Sequence, residues 1–115
     1  MVKWLANLRR AGSVRREASV AALRDVTLVS RATAVYLRTR QAEASVAAEQ
    51  ALSERWTKLG FRLKDLGLGK LAKRCDVSGR HWADPASMDA DFLARADVSL
   101  ASMERMARVL LDELD

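Results

Sequence analysis

Between Val14 and about Lys58, apolar residues recur at helical spacing with no glycine or proline to interrupt them. Ala18, Ala21, Ala22, Leu28, Val29, Ala32, Val35, Tyr36, Ala42, Val46 and Trp56 fall along one slowly drifting stripe. The pattern predicts a long amphipathic helix over residues 13–58, with Ser13 as its N-cap just after Gly12. In one piece such a helix is about 65 to 70 Å long, longer than a domain of this size is wide. It must either break, near Ser53, or find another surface to lie on.

Glycines then arrive at 60, 67, 69 and 79, so residues 59–80 read as short helices with a turn at Gly67-Leu68-Gly69. Asp84-Pro85 is the clearest boundary, an N-cap followed by proline at the first helical position, and it opens a helix to about Ala96. Ser99 caps a last helix whose Leu100, Met103, Ala107, Leu110 and Leu114 share one face, with Glu104 and Arg108 four residues apart as an ion pair. Residues 84–115 thus form an acidic helical pair. Residues 1–12 form a short basic amphipathic segment. No stretch has the alternation of a strand. The expected fold is all-α and single-domain: one long amphipathic helix with three or four shorter ones.

Composition makes the core thin. Alanine and valine supply much of the apolar content, and the aromatic residues are only Trp4, Tyr36, Trp56, Phe61, Trp82 and Phe92. Read in heptads, one core position of the long helix is filled by Asp25, Thr39 and Ser53, which is poor for a self-sufficient coiled coil. A partner helix filling the seam of Ala21, Leu28, Val29, Ala32, Val35, Tyr36, Ala42, Val46 and Trp56 is the better expectation.

Charge adds direction. Residues 1–40 hold nine Lys and Arg against two acids, while residues 81–115 hold three against eight. Arg24, Arg31 and Arg38 recur at every seventh position and border the seam, where arginine stems cover apolar surface and their heads reach acids on a partner. With Arg9, Arg10, Arg15 and Arg16 they form a basic face suited to partner acids or to phosphates. The acids of the last two helices, Asp89, Asp91, Asp97, Glu104 and Asp112, are an internal candidate for meeting them. Asp112, Glu113 and Asp115 crowd a helix end that is already negative, which calls for cations from elsewhere.

Candidate chemistry is sparse. His81 is the only histidine and Cys75 the only cysteine, six residues apart with Asp76 and Asp84 nearby. A nucleophile and its base usually come from separate parts of a fold, and one His with one Cys falls short of a four-ligand metal site. LGLGKLAKR, residues 66–74, lacks the spacing, the Ser or Thr after the lysine, and the preceding strand of a phosphate loop. The expectation is a protein without catalytic residues, metal or cofactor. The lone cysteine suits a reducing, intracellular compartment, either cytoplasm or organelle matrix. No apolar run is long enough to span a bilayer. The first residues, rich in Arg, Ala and Ser, resemble an organelle-targeting segment retained uncleaved. Trp4, Leu5 and Leu8 beside Lys3, Arg9 and Arg10 have the composition of an anchor for an anionic membrane surface.

LAKRCDVS, residues 71–78, resembles the second helix and turn of repressor-type helix-turn-helix domains, and SLASMERMARVL, residues 99–110, resembles their closing helix. The resemblance implies a recognition helix from about Ser78 entering the major groove, with Lys70, Lys73, Arg74 and Arg80 as DNA contacts. The stretch between the two pieces is longer than that family's, and Pro85 interrupts it. The leading expectation is therefore a non-catalytic accessory or scaffold subunit bound to other protein subunits, or to a second copy, in a larger assembly. The alternative is a small DNA-binding regulator, and a lesser one a peripheral membrane-surface protein.

Overall fold

The computed structural model describes the backbone from Val2 to Leu114 and the side chains of residue 12 and residues 14–114. Five α-helices follow one another: α1 Val2–Arg40, α2 Val46–Asp65, α3 Gly69–Ala83, α4 Ala90–Ala96 and α5 Leu100–Leu114, with a 3-10 turn at Pro85–Ser87 before α4. No strand occurs among the described residues. The class is all-α, as the periodicity predicts. α1 packs against α2 and α5, α2 against α3, and α3 touches α5, so the four longer helices close a ring around one core. Pairs at 36 with 49, 33 with 56 and 25 with 62 run α1 and α2 antiparallel, and pairs at 16 with 114 and 31 with 104 do the same for α1 and α5.

The long helix differs from its expected bounds at both ends. It continues as helix through Gly12 and Ser13, so Ser13 is interior and not a cap. It ends at Arg40, well before Ser53. Ala42 and Glu43 both donate to the Thr39 carbonyl, and Ser45, in extended conformation, opens α2 by accepting from the Ala48 amide at 3.2 Å. The segment Gln41-Ala42-Glu43-Ala44 is made of good helix formers, which is why periodicity reads straight through it. The turn is selected because it lays α2 along α1 and buries Trp56 and Tyr36, a gain larger than any local propensity in five residues. At 39 residues α1 is about 58 Å long and matches the 61 Å long axis of the molecule.

α2 and α3 form the tightest pair. Their connection is Leu66-Gly67-Leu68, with Gly67 at φ 80, and the Leu68 and Gly67 amides donate back to Leu63 and Lys64 carbonyls in a Schellman stop. Beyond it the two helices approach at two glycines. A Cβ on Gly60 would lie 3.3 Å from the Ala72 carbonyl oxygen. A Cβ on Gly79 would overlap Thr57 Oγ1 and lie 3.2 Å from the Thr57 amide and 3.3 Å from the Ser53 carbonyl. Ser53 Oγ donates to the Gly79 carbonyl at 2.7 Å, so the residue expected to break the long helix instead ties α2 to α3.

Three further expectations are corrected. α3 is unbroken from Gly69 to Ala83, so residues 76–78 form no turn and no separate recognition helix starts at Ser78. Pro85 begins only a 3-10 turn, Met88 is extended, and Asp89 caps α4 by accepting from the Phe92 amide at 2.7 Å. A second Asx cap thus resets the helix five residues late. Glu104 reaches Arg31 of α1 at 3.4 Å instead of pairing with Arg108. Ser99 does open α5, accepting from the Ser102 amide at 3.3 Å.

The core is Leu23, Val26 and Val29 of α1, Leu52, Trp56, Leu59 and Leu63 of α2, Leu71, Cys75 and Trp82 of α3, and Met103 and Ala107 of α5. Substituting Gly79 with Ala should lower stability by about 1 to 2 kcal/mol, because a forced separation of backbones outweighs the better helix propensity of alanine. Gly12, with nothing within 4 Å of a Cβ, should gain about 0.5 to 1 kcal/mol from the same change. Urea denaturation of the two variants checks both signs.

Candidate functional site

The buried stripe of α1 is Ser19, Ala22, Leu23, Val26, Val29, Ser30, Thr33 and Tyr36, rotated about a third of a turn from the expected seam. Hydrophobicity alone misplaces it because three of these residues, Ser19, Ser30 and Thr33, are small and hydroxylated and read as polar. Thr33 is accommodated by donating to the Val29 carbonyl at 2.8 Å while accepting from Trp56 Nε1 at 3.1 Å, so its oxygen is satisfied inside the core.

This rotation divides the seam. Val29, Tyr36 and Trp56 are buried in the chain's own core and Ala32 is half-buried. Ala21, Leu28, Val35, Ala42 and Val46 are exposed. On α1, Val14, Leu28 and Val35 expose 59%, 60% and 54% of their surface. With Ala21 between them these residues stand at seven-residue intervals, so they form one ridge pointing away from α2 and α5. Beside that ridge run Arg24, Arg31 and Arg38, all exposed. Arg31 is held by Glu104, whereas Arg24 and Arg38 make no ion pair among the described residues. Asp25, at the edge of the ridge, is bound by Arg62 at 3.2 Å and Arg55 at 3.6 Å, which pins α2 and removes its negative charge from the surface.

The remaining basic residues separate by role. Arg16 Nε donates to the Leu114 carbonyl at 2.8 Å, supplying the cation that the acidic end of α5 requires. Arg15 is exposed, and Arg9 and Arg10 lie outside the described side chains, as do Trp4, Leu5 and Leu8. On α3, Lys70 and Lys73 are exposed, Arg80 pairs with Asp76 one turn earlier at 3.0 Å, and Arg74 donates to the Lys70 carbonyl at 3.1 Å and lies 3.8 Å from Asp97. Of the acids proposed to fold back on the arginine stripe, Glu104 does so; Asp97 turns to Arg74 on α3 instead.

One cluster has no signal in the sequence, because its members come from three segments without common spacing. At the α1–α2 turn, the Tyr36 hydroxyl bonds to the Glu49 carboxylate and accepts from the Ser45 amide at 3.0 Å. Arg40 reaches Glu49 at 3.3 Å and lies over the Trp82 ring, and Trp82 meets Tyr36 and His81 edge-on. Burial and the carboxylate beside it raise the Tyr36 phenol above its ordinary value. Burial, then the Arg40 charge, hold His81 below the usual imidazole range, against a smaller opposite effect of Glu49.

Cys75 and His81 do not converge. Six residues along one helix amount to about 9 Å of rise and two-thirds of a turn beyond one full turn. Cys75 is buried against Gly60, and burial with the nearby Asp25 charge pushes its thiol up to about 12. No three His, Cys, Asp or Glu side chains converge as metal ligands among the described residues. No described helix is long and apolar enough to cross a membrane.

Two outcomes follow. Cys75 should stay unmodified by a thiol-reactive disulfide reagent at pH 8 in the native protein and react stoichiometrically in urea. Because His81 resists protonation when folded, the unfolded chain takes up its proton first as pH drops below 6.5, so the stability that His81 contributes is present at neutral pH and is lost on acidification. The difference in urea midpoint between pH 7.5 and 6 should shrink in His81→Gln.

The chain matches no protein-family model, no curated protein and no solved structure.

Proposed function

We propose that this chain is a non-catalytic helical accessory subunit, held in a larger protein assembly through the outward face of α1. The observation that carries the reading is the ridge of Val14, Ala21, Leu28 and Val35, left in solvent although the same helix buries another face within the chain. Apolar residues spaced by heptads and bordered by long cationic side chains are the chemistry of a helix-in-groove or helix-on-helix contact. Arg24 and Arg38, without ion partners among the described residues, favour a partner that brings acids to the rim. Two copies docked ridge to ridge would bring arginines together, which disfavours self-association through this face.

Phosphate binding is the second reading. Lys70 and Lys73 on the outer face of α3, with the α1 arginines, are basic residues open to solvent. They support backbone contacts more than base readout, since α3 carries no separate recognition helix.

Leu28→Asp with Val35→Asp alters only exposed positions, so thermal stability should stay within about 0.5 kcal/mol of the parent. In pull-downs from the native source, a partner that co-purifies stoichiometrically with the parent should be lost with this variant and kept with Lys70→Glu. A stable monomer without any stoichiometric partner overturns the subunit reading. Tight binding to random duplex DNA with a steep salt dependence, abolished by Gln at 24, 31 and 38, would replace it with the second reading.

A further inference from the structure

Where the α2–α3 turn meets the second half of α5, the surface opens into a groove of about 560 Å³. Leu68 and Leu71 form one wall and Met106, Val109 and Leu110 the other. Val109 is 52% exposed, one helical turn of α5 beyond half-buried Met106. Lys70 and Arg105 stand on the rim. Arg15 of α1 reaches over the turn, its guanidinium 3.4 Å from where a Cβ on Gly67 would stand. None of these three cations forms an ion pair among the described residues. α3 also begins here without a side-chain cap, and Gly69 leaves open space at its first turn.

We propose that this groove binds a single-chain anionic amphiphile of the long-chain carboxylate class, the chain lying between the leucines and α5 and the carboxylate between Lys70 and Arg105. The volume is that of a single-ligand site, in the range of roughly 300 to 1,000 Å³. Apart from the two rim cations, no lining side chain can hydrogen-bond, so an extended peptide would bury unpaired amides there, whereas a methylene chain has none to satisfy. The rim selects the sign of the head group, and the walls select an unbranched apolar tail. This groove shares no residue with the α1 ridge, so each assignment stands or falls separately.

The test is calorimetric and NMR titration of the full chain with carboxyl-labelled dodecanoate, alongside 1-dodecanol and butanoate. Saturable one-to-one binding of dodecanoate is expected, about tenfold tighter than dodecanol, with no saturation by butanoate. Lys70→Glu with Arg105→Glu should cost dodecanoate about tenfold and leave dodecanol unchanged, while Val109→Asp should weaken both. All of these positions are exposed, and an unaltered thermal melt verifies the fold of each variant. The proposal is overturned by absence of saturable dodecanoate binding, by acid and alcohol binding equally and regardless of the rim reversal, or by an acidic apolar peptide displacing dodecanoate at lower concentration.

Discussion

The close approach of α2 and α3 is the constraint from which the remaining packing follows. Gly60 and Gly79 remove the side chains that would hold the two backbones apart, and Ser53 closes the gap with a hydrogen bond to the Gly79 carbonyl. The pair thereby presents Trp56, Leu59 and Leu63 from one helix and Leu71, Cys75 and Trp82 from the other as one continuous apolar surface. A core poor in aromatic residues can be close-packed only where backbones come near each other. Glycine supplies that nearness at two points, one on each helix, a little over one turn apart along the pair.

α1 then lies across this surface and is fixed to it by polar contacts as much as by apolar ones. Trp56 donates to Thr33, Asp25 takes both Arg55 and Arg62, and Tyr36 and Arg40 converge on Glu49. α5 closes the other side, with Arg16 on its carbonyl end and Arg31 on Glu104. Arg16 and Arg31 of the basic front are thereby used within the molecule, on the end and the flank of α5, while Arg24 and Arg38 stay without an ion pair among the described residues. Individual surface pairs of this kind contribute little, on the order of 0 to 1 kcal/mol, and their main effect is to set the register of helices whose apolar faces are rich in small residues.

Much of the architecture was legible from residue order. Helical periodicity, the glycine-marked turn at 67, the Asp84-Pro85 boundary and the Ser99 cap all correspond to features of the fold. Element ends were less legible where helix formers continue through a turn, as at residues 41–44, or where a later Asx cap displaces an earlier one, as Asp89 does Asp84. The arginine stripe was visible as a stripe, and which of its members remained open was not. Arg31 depends on Glu104, a residue 73 positions away, and no local rule predicts that encounter.

The all-helical class and the polarity of charge could be read from residue order, because they depend on residue type and on spacing within a single helix. Which face of α1 is core and which is ridge depends on the helices that pack against it. Ala21, Leu28 and Val35 are as apolar as Ala22, Val29 and Tyr36 to any periodic reading, and they differ only in what lies opposite them. α2 and α5 can contact just one side of a helix, and buried Thr33, satisfied by Trp56 and Val29, made the more polar-looking side the better one to cover.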